Sequence, residues 1–228
     1  MPFQLPKILN PDAEGQAVRV LKHYFKPLEG RNQGFTGGCW DTFDPSETRA
    51  ASANRFTADD IVACTLLSAP IPGRAAVELL EDPERKFSKM LEAIREDREF
   101  VELKCAEKGS EFDPVHRLCK ALDDLPGIGE TRATKLLARK RPRLVPIVDT
   151  VVRKHVFQDS PRQWQPLLEA VQADDGALWK RLVHLRGAAK LDHRVSVLRV
   201  FDVLAWMEGS GNAAKLNQPI VAPDEPPE

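Results

Sequence analysis

The apolar residues of this chain recur at intervals of three and four positions, and this spacing decides which class of fold it can adopt. Over 191–208 they fall at Leu191, Val195, Leu198 and Phe201, which places them on one face of a helix. No segment alternates apolar and polar residues as a half-buried strand requires. We therefore predict an all-α protein whose final helix covers about that segment.

Length and composition bound the domain organisation. A chain of 228 residues forms one sizeable domain or two small ones, and 42% hydrophobic with 29% charged residues is ordinary for a globular protein. We predict one helical domain over 1–208. Two lobes are the alternative, with 57–156 as one lobe and the N- and C-terminal helices as the other. The Gly-, Pro- and acid-rich stretch 209–228 is predicted to be a disordered tail.

The sequence gives no sign of a membrane protein or of a metal cluster. No apolar run approaches the roughly 18 residues of a membrane span, and the first residues do not look like a secretion signal. Cys39, Cys64, Cys105 and Cys119 form no C-x-x-C pair, so we predict neither a zinc site nor an iron–sulfur cluster. We expect a cytoplasmic monomer with reduced thiols.

A long stretch without helical spacing covers roughly 28–55 and contains FTGGCWDTFDP. Long loops inside compact domains often carry function, and the alternative is that Trp40 and Phe43 fix the loop to the core. Both roles stay open. Helical structure resumes at Thr57, because Asp60 three residues later predicts a capping box.

The segment 122–155, LDDLPGIGETRATKLLARKRPRLVPIVDTVVRKH, contains a glycine turn between two helical patterns. Gly127 and Gly129 can adopt backbone conformations that are closed to other residues. They also leave the N–H groups of the turn uncovered at a helix N-terminus, where a phosphate oxygen binds well. Small Ala133 permits the two helices to cross closely.

Positive charge is concentrated in the same segment. From Glu130 to His155 the chain holds eight Lys or Arg residues and two acids, a net charge of +6, whereas the whole chain has a net charge of −1. Such a local excess is typical of a phosphate-binding surface, and the alternative is a solvated helix face. The residues that we predict to contact nucleic acid are Gly127, Ile128, Gly129, Thr131, Arg132, Lys135, Arg139, Lys140, Arg141, Arg143 and Lys154.

Two motifs in this segment resemble a known family. LPGIGETRATKLL is similar to the helix-hairpin-helix of the endonuclease III-like DNA glycosylases, and PIVDT resembles their segment with the catalytic aspartate. Gly127 and Asp149 are 22 residues apart, the spacing associated with that motif. Upstream, DIVACTLLSAPIPGRAA resembles the early helix that leads to a DNA-probing loop. The resemblance covers about 57–156 and looks closest to a bacterial branch with the segment ARKRPRLVPIVD.

The resemblance implies a helical glycosylase-like fold, with the hairpin followed by a Pro/Asp loop, and duplex DNA as the partner. Asp149 would then stabilise the positive charge that develops on the sugar as the base leaves. A structural Na⁺ or K⁺ is also implied, held by the backbone of Asp123, Leu125 and Ile128, with no other cofactor. The simpler role for Asp149 is to cap the helix that follows it, and the two roles are compatible.

The chain departs from the family pattern at positions that bear on which reaction it can catalyse. Bifunctional members carry a lysine nucleophile four residues after the first hairpin glycine, where this chain has Thr131. Threonine forms no Schiff base, so we predict an enzyme without lyase activity. Many members insert a Gln into the duplex at the position of Pro70. Three functions stay open: a monofunctional DNA glycosylase that excises a damaged or modified base, a non-catalytic nucleic-acid-binding protein, and a helical protein-interaction scaffold.

Overall fold

The computed structural model describes residues 3–29 and 34–216, and within these ranges it contains helices and no β-strand. The prediction of an all-α protein is confirmed. The α-helices of the described residues are α1 (Glu14–Tyr24), α2 (Ala58–Leu66), α3 (Gly73–Glu81), α4 (Lys86–Glu92), α5 (Asp113–Asp123), α6 (Glu130–Lys140), α7 (Thr150–Phe157), α8 (Trp164–Ala188), α9 (Val197–Gly209) and α10 (Asn212–Lys215). Short 3-10 helices cover Lys7–Leu9, Pro11–Ala13, Thr36–Cys39 and Phe100–Glu102.

Most of the buried apolar side chains form one continuous cluster that extends from Ile8 to Ala213. Its centre is α9, which packs against α1, α7 and α8 and is buried on nearly all sides. A helix that is apolar around most of its circumference belongs in an interior. The early and late helices therefore share one core with the hairpin helices, while the division into domains stays a prediction.

Helix α9 begins later than the apolar periodicity predicted. Ser196 caps its N-terminus by accepting a hydrogen bond from the Arg199 N–H at 3.1 Å. Leu191 and Val195 lie before the helix and still pack against the core. The spacing of apolar residues at three and four positions therefore extends beyond the helix into a preceding turn that is not helical.

The predicted disordered tail is wrong for its first residues. Gly209 is the last residue of α9, and α10 follows, with Ala213 buried in the core and Leu216 packed against it. A single helical turn has too few residues to show a periodic spacing of apolar residues, so the sequence did not predict that α10 packs against the core. The rest of the predicted tail, 217–228, lies outside the described residues.

Helices α5 and α6 form the predicted hairpin and pack closely against each other. Gly127 has φ +75°, a left-handed conformation that favours glycine, and a Cβ on it would lie 2.9 Å from Cγ of Pro72. The Ile128 N–H donates to the Leu125 carbonyl at 3.0 Å and closes the turn. Ala133 is fully buried at the crossing, as its small size predicted.

The loop between α1 and α2 is anchored by its aromatic residues. Trp40 is only 1% exposed and clusters with Ala63, Ala138 and Ile147, and Phe43 packs against that cluster. The anchoring role is confirmed. It brings the backbone of a loop without regular secondary structure against α6.

The longest helix, α8, is interrupted by non-helical backbone over 173–176. Asp174, Asp175 and Gly176 all have positive φ, which breaks the helical hydrogen bonding. In the part of the chain that the structure describes, no helix combines the length and apolar character needed to cross a bilayer.

Candidate nucleic-acid site around Asp149

Asp149 is the N-cap of α7. Its Oδ1 accepts a hydrogen bond from the Val152 N–H at 2.9 Å, so the capping role is confirmed. Asp149 is half-buried and forms part of the wall of a pocket of about 290 Å³. The helix cap thus fixes the orientation of a carboxylate in the wall of a pocket.

This pocket, the Asp149 pocket, has one aromatic wall and one charged wall. Tyr24 and Phe35 stack with ring centroids 5.1 Å apart, and Trp206 meets the Phe35 ring edge-on at 5.8 Å. The charged residues that line the pocket are Lys135, Asp149, Arg199 and Asp202, and the hydroxyl residues Thr36, Ser68, Thr131 and Thr150 also line it.

Lys135 belongs to this pocket rather than to an exposed phosphate-binding surface. It is buried, and its Nζ donates to the Leu67 carbonyl at 2.8 Å. Burial lowers the pKa of Lys135, and attraction to Asp149 and Asp202 opposes that shift. Lys135 is therefore not exposed at the surface of the hairpin, because its ammonium is turned inward, and its contact with nucleic acid stays a prediction.

Asp202 and Arg199 are functional candidates that the sequence analysis missed. Arg199 is buried and pairs with Asp41 at 3.2 Å and also with Asp202. Burial raises the pKa of Asp202 to about 6, although the Arg199 guanidinium opposes the shift, and the charge of Asp149 adds to it. The sequence did carry a signal, since an Arg and an Asp three residues apart interrupt the otherwise apolar run VLRVFDVLAW.

The C-terminal end of α6 is buried against the loop between α1 and α2. Arg139 is 1% exposed; its Nε lies 3.2 Å from Oδ1 of Asp60, and its guanidinium also donates to the carbonyls of Trp40 and Phe43. Lys140 is buried beside it, with Nζ 2.5 Å from Oδ2 of Asp60. Asp60 also forms the predicted capping box of α2.

Arg141 is also buried, and its guanidinium also donates to backbone carbonyls. It is 1% exposed and donates to the carbonyls of Leu91 at 2.7 Å, and of Ile94 and Ala53 at 2.9 Å. The prediction that Arg139, Lys140 and Arg141 contact phosphate is thus wrong. Buried carbonyls in loops and at helix ends need hydrogen-bond donors, and these three cations supply them.

A smaller set of predicted contacts remains at the surface. Gly127, Gly129 and Lys154 are exposed, and Arg132 is partly exposed. Arg132 donates to the Pro70 carbonyl at 2.8 Å and to the Gly127 carbonyl at 3.2 Å, which ties the loop after α2 to the hairpin turn.

The other predicted contacts divide between two places. Ile128 is only 5% exposed and packs in the core, which leaves little of the residue for contact, and Thr131 lines the Asp149 pocket. Arg143 is exposed but lies beyond the far end of α6, where it pairs with Glu99 at 2.6 Å.

The hairpin turn gives no support to the implied Na⁺ or K⁺. The Leu125 carbonyl already accepts the Ile128 N–H, and the Arg132 guanidinium brings a fixed positive charge to the Gly127 carbonyl. The cation, with Asp123 as a further ligand, stays a prediction, and we derive no step through it.

The thiols and carboxylates of the described residues show no metal centre. No three His, Cys, Asp or Glu side chains in 3–29 and 34–216 are grouped to hold a metal ion. All four cysteines are free, and burial raises the pKa of Cys64 and of Cys119 to about 12. These two thiols therefore stay protonated at neutral pH.

A larger hollow of about 670 Å³ borders α6 at Thr134 and the segment before α7 at Val148. Its lining balances three cations with three carboxylates and does not include Asp149. The Asp149 pocket is the stronger candidate because buried charged side chains line it, those of Lys135, Arg199 and Asp202.

Comparison with known proteins identifies a family. A family model with the description "Family of unknown function (DUF6308)" matches residues 17–209. The chain belongs to the DUF6308 family. The matched region contains every residue of the Asp149 pocket, from Tyr24 to Trp206, so the pocket is built within the DUF6308 domain. No curated protein and no solved structure matches the chain significantly.

Proposed function

We propose that this DUF6308 protein is a monofunctional DNA glycosylase. The hairpin turn binds duplex DNA, and the Asp149 pocket accepts a damaged or modified base that has left the duplex. The observation that carries the proposal is the position of Asp149, which caps α7 in the wall of a pocket beside the first turn of α6. The glycosylase-like fold is part of the same proposal.

The shape of the pocket supports the binding of a planar ring. Its volume of about 290 Å³ is at the lower end of pockets that enclose small ligands, about 300 Å³ and above. Phe35 and Trp206 are only partly buried, which leaves aromatic surface for contact with a ligand. Enzymes that act on an extruded base typically hold it between aromatic side chains and polar groups.

The charged wall supports the chemistry. As the bond between base and sugar breaks, positive charge builds on the sugar, and a nearby carboxylate stabilises that charge. The Val152 N–H donates a hydrogen bond to Oδ1 of Asp149, whereas Oδ2 has no hydrogen-bond partner among the described residues. Asp149 is then the catalytic carboxylate, and Asp202, with its pKa of about 6, offers a proton donor or acceptor near neutral pH.

DNA binding rests on the surface of the hairpin turn. Gly127 and Gly129 expose backbone at the N-terminus of α6, with Lys154 also at the surface. A helix N-terminus with exposed N–H groups binds phosphate without reading sequence. Salt-dependent DNA binding separates this proposal from a protein-interaction scaffold, and base release separates it from a non-catalytic binding protein.

The deciding experiment is a screen of duplexes with assorted damaged or modified bases, scored for base release and then for strand breakage in alkali. On a duplex that is cleaved, Asp149→Asn should lower base release by about 100- to 1000-fold, the effect of removing one preorganised electrostatic group. Asparagine keeps the cap acceptor, so the fold and DNA binding should survive. Asp113→Asn, which removes a carboxylate from the first turn of α5, is the matched control.

Three results would contradict the proposal. The first is base release that survives Asp149→Asn undiminished. The second is strand breakage without alkali, trapped by borohydride, since Thr131 provides no amine. The third is salt-dependent DNA binding with no release from any duplex of the screen, which favours the non-catalytic alternative.

A further inference from the structure

Another hollow, of about 400 Å³, lies at the N-terminus of α9 and shares no residue with the Asp149 pocket. Its lining combines four arginines with residues at the start of a helix. The residues that define this arginine hollow are Arg49, Arg143, Arg186, Arg194, Ser196 and Val197, and Glu99, Pro142 and His193 also line it. It lies beyond the C-terminal end of α6, roughly 15 Å along the helix from Thr131 at 1.5 Å per residue.

Two of the four arginines are already paired with carboxylates. Arg143 lies 2.6 Å from Oε1 of Glu99, and Arg194 lies 2.7 Å from Oδ2 of Asp192. These pairs are partly exposed and leave no strong excess of charge on that side of the hollow.

Arg49 and Arg186 have no carboxylate at ion-pair distance among the described residues. Each is partly buried and donates only to backbone carbonyls, Arg49 to Asp41 and to Arg139 at 3.3 Å, and Arg186 to Val195 at 3.4 Å. Burial, and then repulsion by Arg139, lower the pKa of Arg49 to about 10, although the charges of Asp41, Asp60 and Asp44 oppose the shift, so this cation is still protonated at neutral pH. A partly buried guanidinium with no carboxylate in direct contact is stabilised by an anion that enters the hollow.

The N-terminus of α9 adds a donor at the same place. The side chain of Ser196 accepts the Arg199 N–H, whereas no described residue accepts a hydrogen bond from the N–H of Val197, which lines the hollow. This N–H group belongs to a helix of thirteen residues, whose dipole places partial positive charge at this end.

We propose that the arginine hollow binds a phosphate group. Forked guanidinium donors and a helix N–H group match the several oxygens of a phosphate better than the two oxygens of a carboxylate. The phosphate comes either from the backbone of a nucleic-acid strand or from a free polyphosphate. This site requires neither base release nor the Asp149 pocket, so it goes beyond the proposed glycosylase activity.

Isothermal titration calorimetry of the full-length protein tests the site. The protein is titrated with pyrophosphate and, separately, with an oligothymidylate of twelve nucleotides. Arg186→Gln should weaken binding of the probe by about 10- to 100-fold, the loss of one charge-assisted interaction. Lys180→Gln removes an exposed cation from the same helix and should leave binding unchanged. Arg186→Lys keeps the charge without the fork and should lie between the parent and Arg186→Gln.

The two probes distinguish the sources of phosphate. If the oligothymidylate binds more tightly than pyrophosphate, and Arg186→Gln weakens that binding, the hollow is assigned to a nucleic-acid backbone. If only pyrophosphate binds, and Arg186→Gln weakens that binding, the hollow is assigned to a free polyphosphate. The site is refuted if neither probe binds at millimolar concentration, or if Arg186→Gln and Lys180→Gln weaken binding equally. Thermal denaturation verifies that each variant is folded. If Arg186→Gln does not fold, the comparison between the parent and Arg186→Lys tests the site instead.

Discussion

The two ends of α6 carry similar charge and use it differently. Near the N-terminus, Arg132 and Lys135 surround the hairpin turn and the Asp149 pocket, where exposed backbone and a half-buried carboxylate face outward. At the C-terminus, Arg139 and Lys140 are buried and paired with Asp60. One end borders a pocket and an exposed turn, and the other holds a loop in place.

The difference lies in the neighbours rather than in the residue types. At the C-terminal end the cations donate to loop carbonyls and also pair with the carboxylate of Asp60. At the N-terminal end Arg132 and Lys135 likewise donate to loop carbonyls, but neither has a carboxylate at ion-pair distance among the described residues. A run of basic residues therefore indicates a binding surface only where distant segments leave its cations exposed.

The largest effect that we predict tests the structural role of the C-terminal end. Arg139→Met should lower the free energy of unfolding by about 3–5 kcal/mol, because it leaves buried carbonyls and part of Asp60 without their partner. Urea denaturation measures this loss. Lys154→Met, which changes an exposed cation, should alter stability very little. A stable Arg139→Met variant that no longer binds DNA would instead make this end of α6 the contact surface.

A somewhat smaller effect concerns the pocket at the N-terminal end. The folded-state pKa of Asp202 is about 6, against about 3.9 in an unfolded chain. Between these values the folded state holds a proton that the unfolded state has lost, so this residue contributes stability at low pH that falls as pH rises. The contribution lost by pH 7 is about 3 kcal/mol.

Asn at position 202 does not titrate, which isolates this contribution. The difference in unfolding free energy between the parent and Asp202→Asn should decline from about pH 4 to about pH 6 and be flat outside that window. Urea denaturation at a series of pH values measures it. A difference that does not change with pH would mean that Asp202 stays ionised, and the pocket would then lose its group that titrates near neutral pH.

The smallest effect concerns the exposed surface around the turn. Lys154→Glu should weaken binding to all DNA sequences alike and lower the slope of log affinity against log salt by about one, as for the loss of one phosphate contact. Lys22→Glu makes the same charge change on the exposed face of α1 and should leave the slope unchanged. Equal effects of both variants would show that only net charge matters and that no local contact surface exists.

Local patterns in the sequence predicted much of the framework. The spacing of apolar residues indicated helices, and the pair Thr57 and Asp60 marked the start of α2, which a capping box begins in the structure. The turn at Gly127 and the cap at Asp149 were also correctly predicted. Each of these features depends on residues within a few positions of one another, so the interactions that form them are visible in a short stretch of sequence.

Only the tertiary structure decided which charges are free. Arg139 finds its partners Asp60 and Trp40 at separations of 79 and 99 residues, and Arg199 reaches Asp41 across 158 residues. The sequence by itself determined the all-helical class, the hairpin turn and a carboxylate at the start of α7. The burial of Arg139, and the pocket in which Asp202 titrates, were set by the folded chain, because the energy of a charge depends on the groups that surround it and distant segments supply those groups.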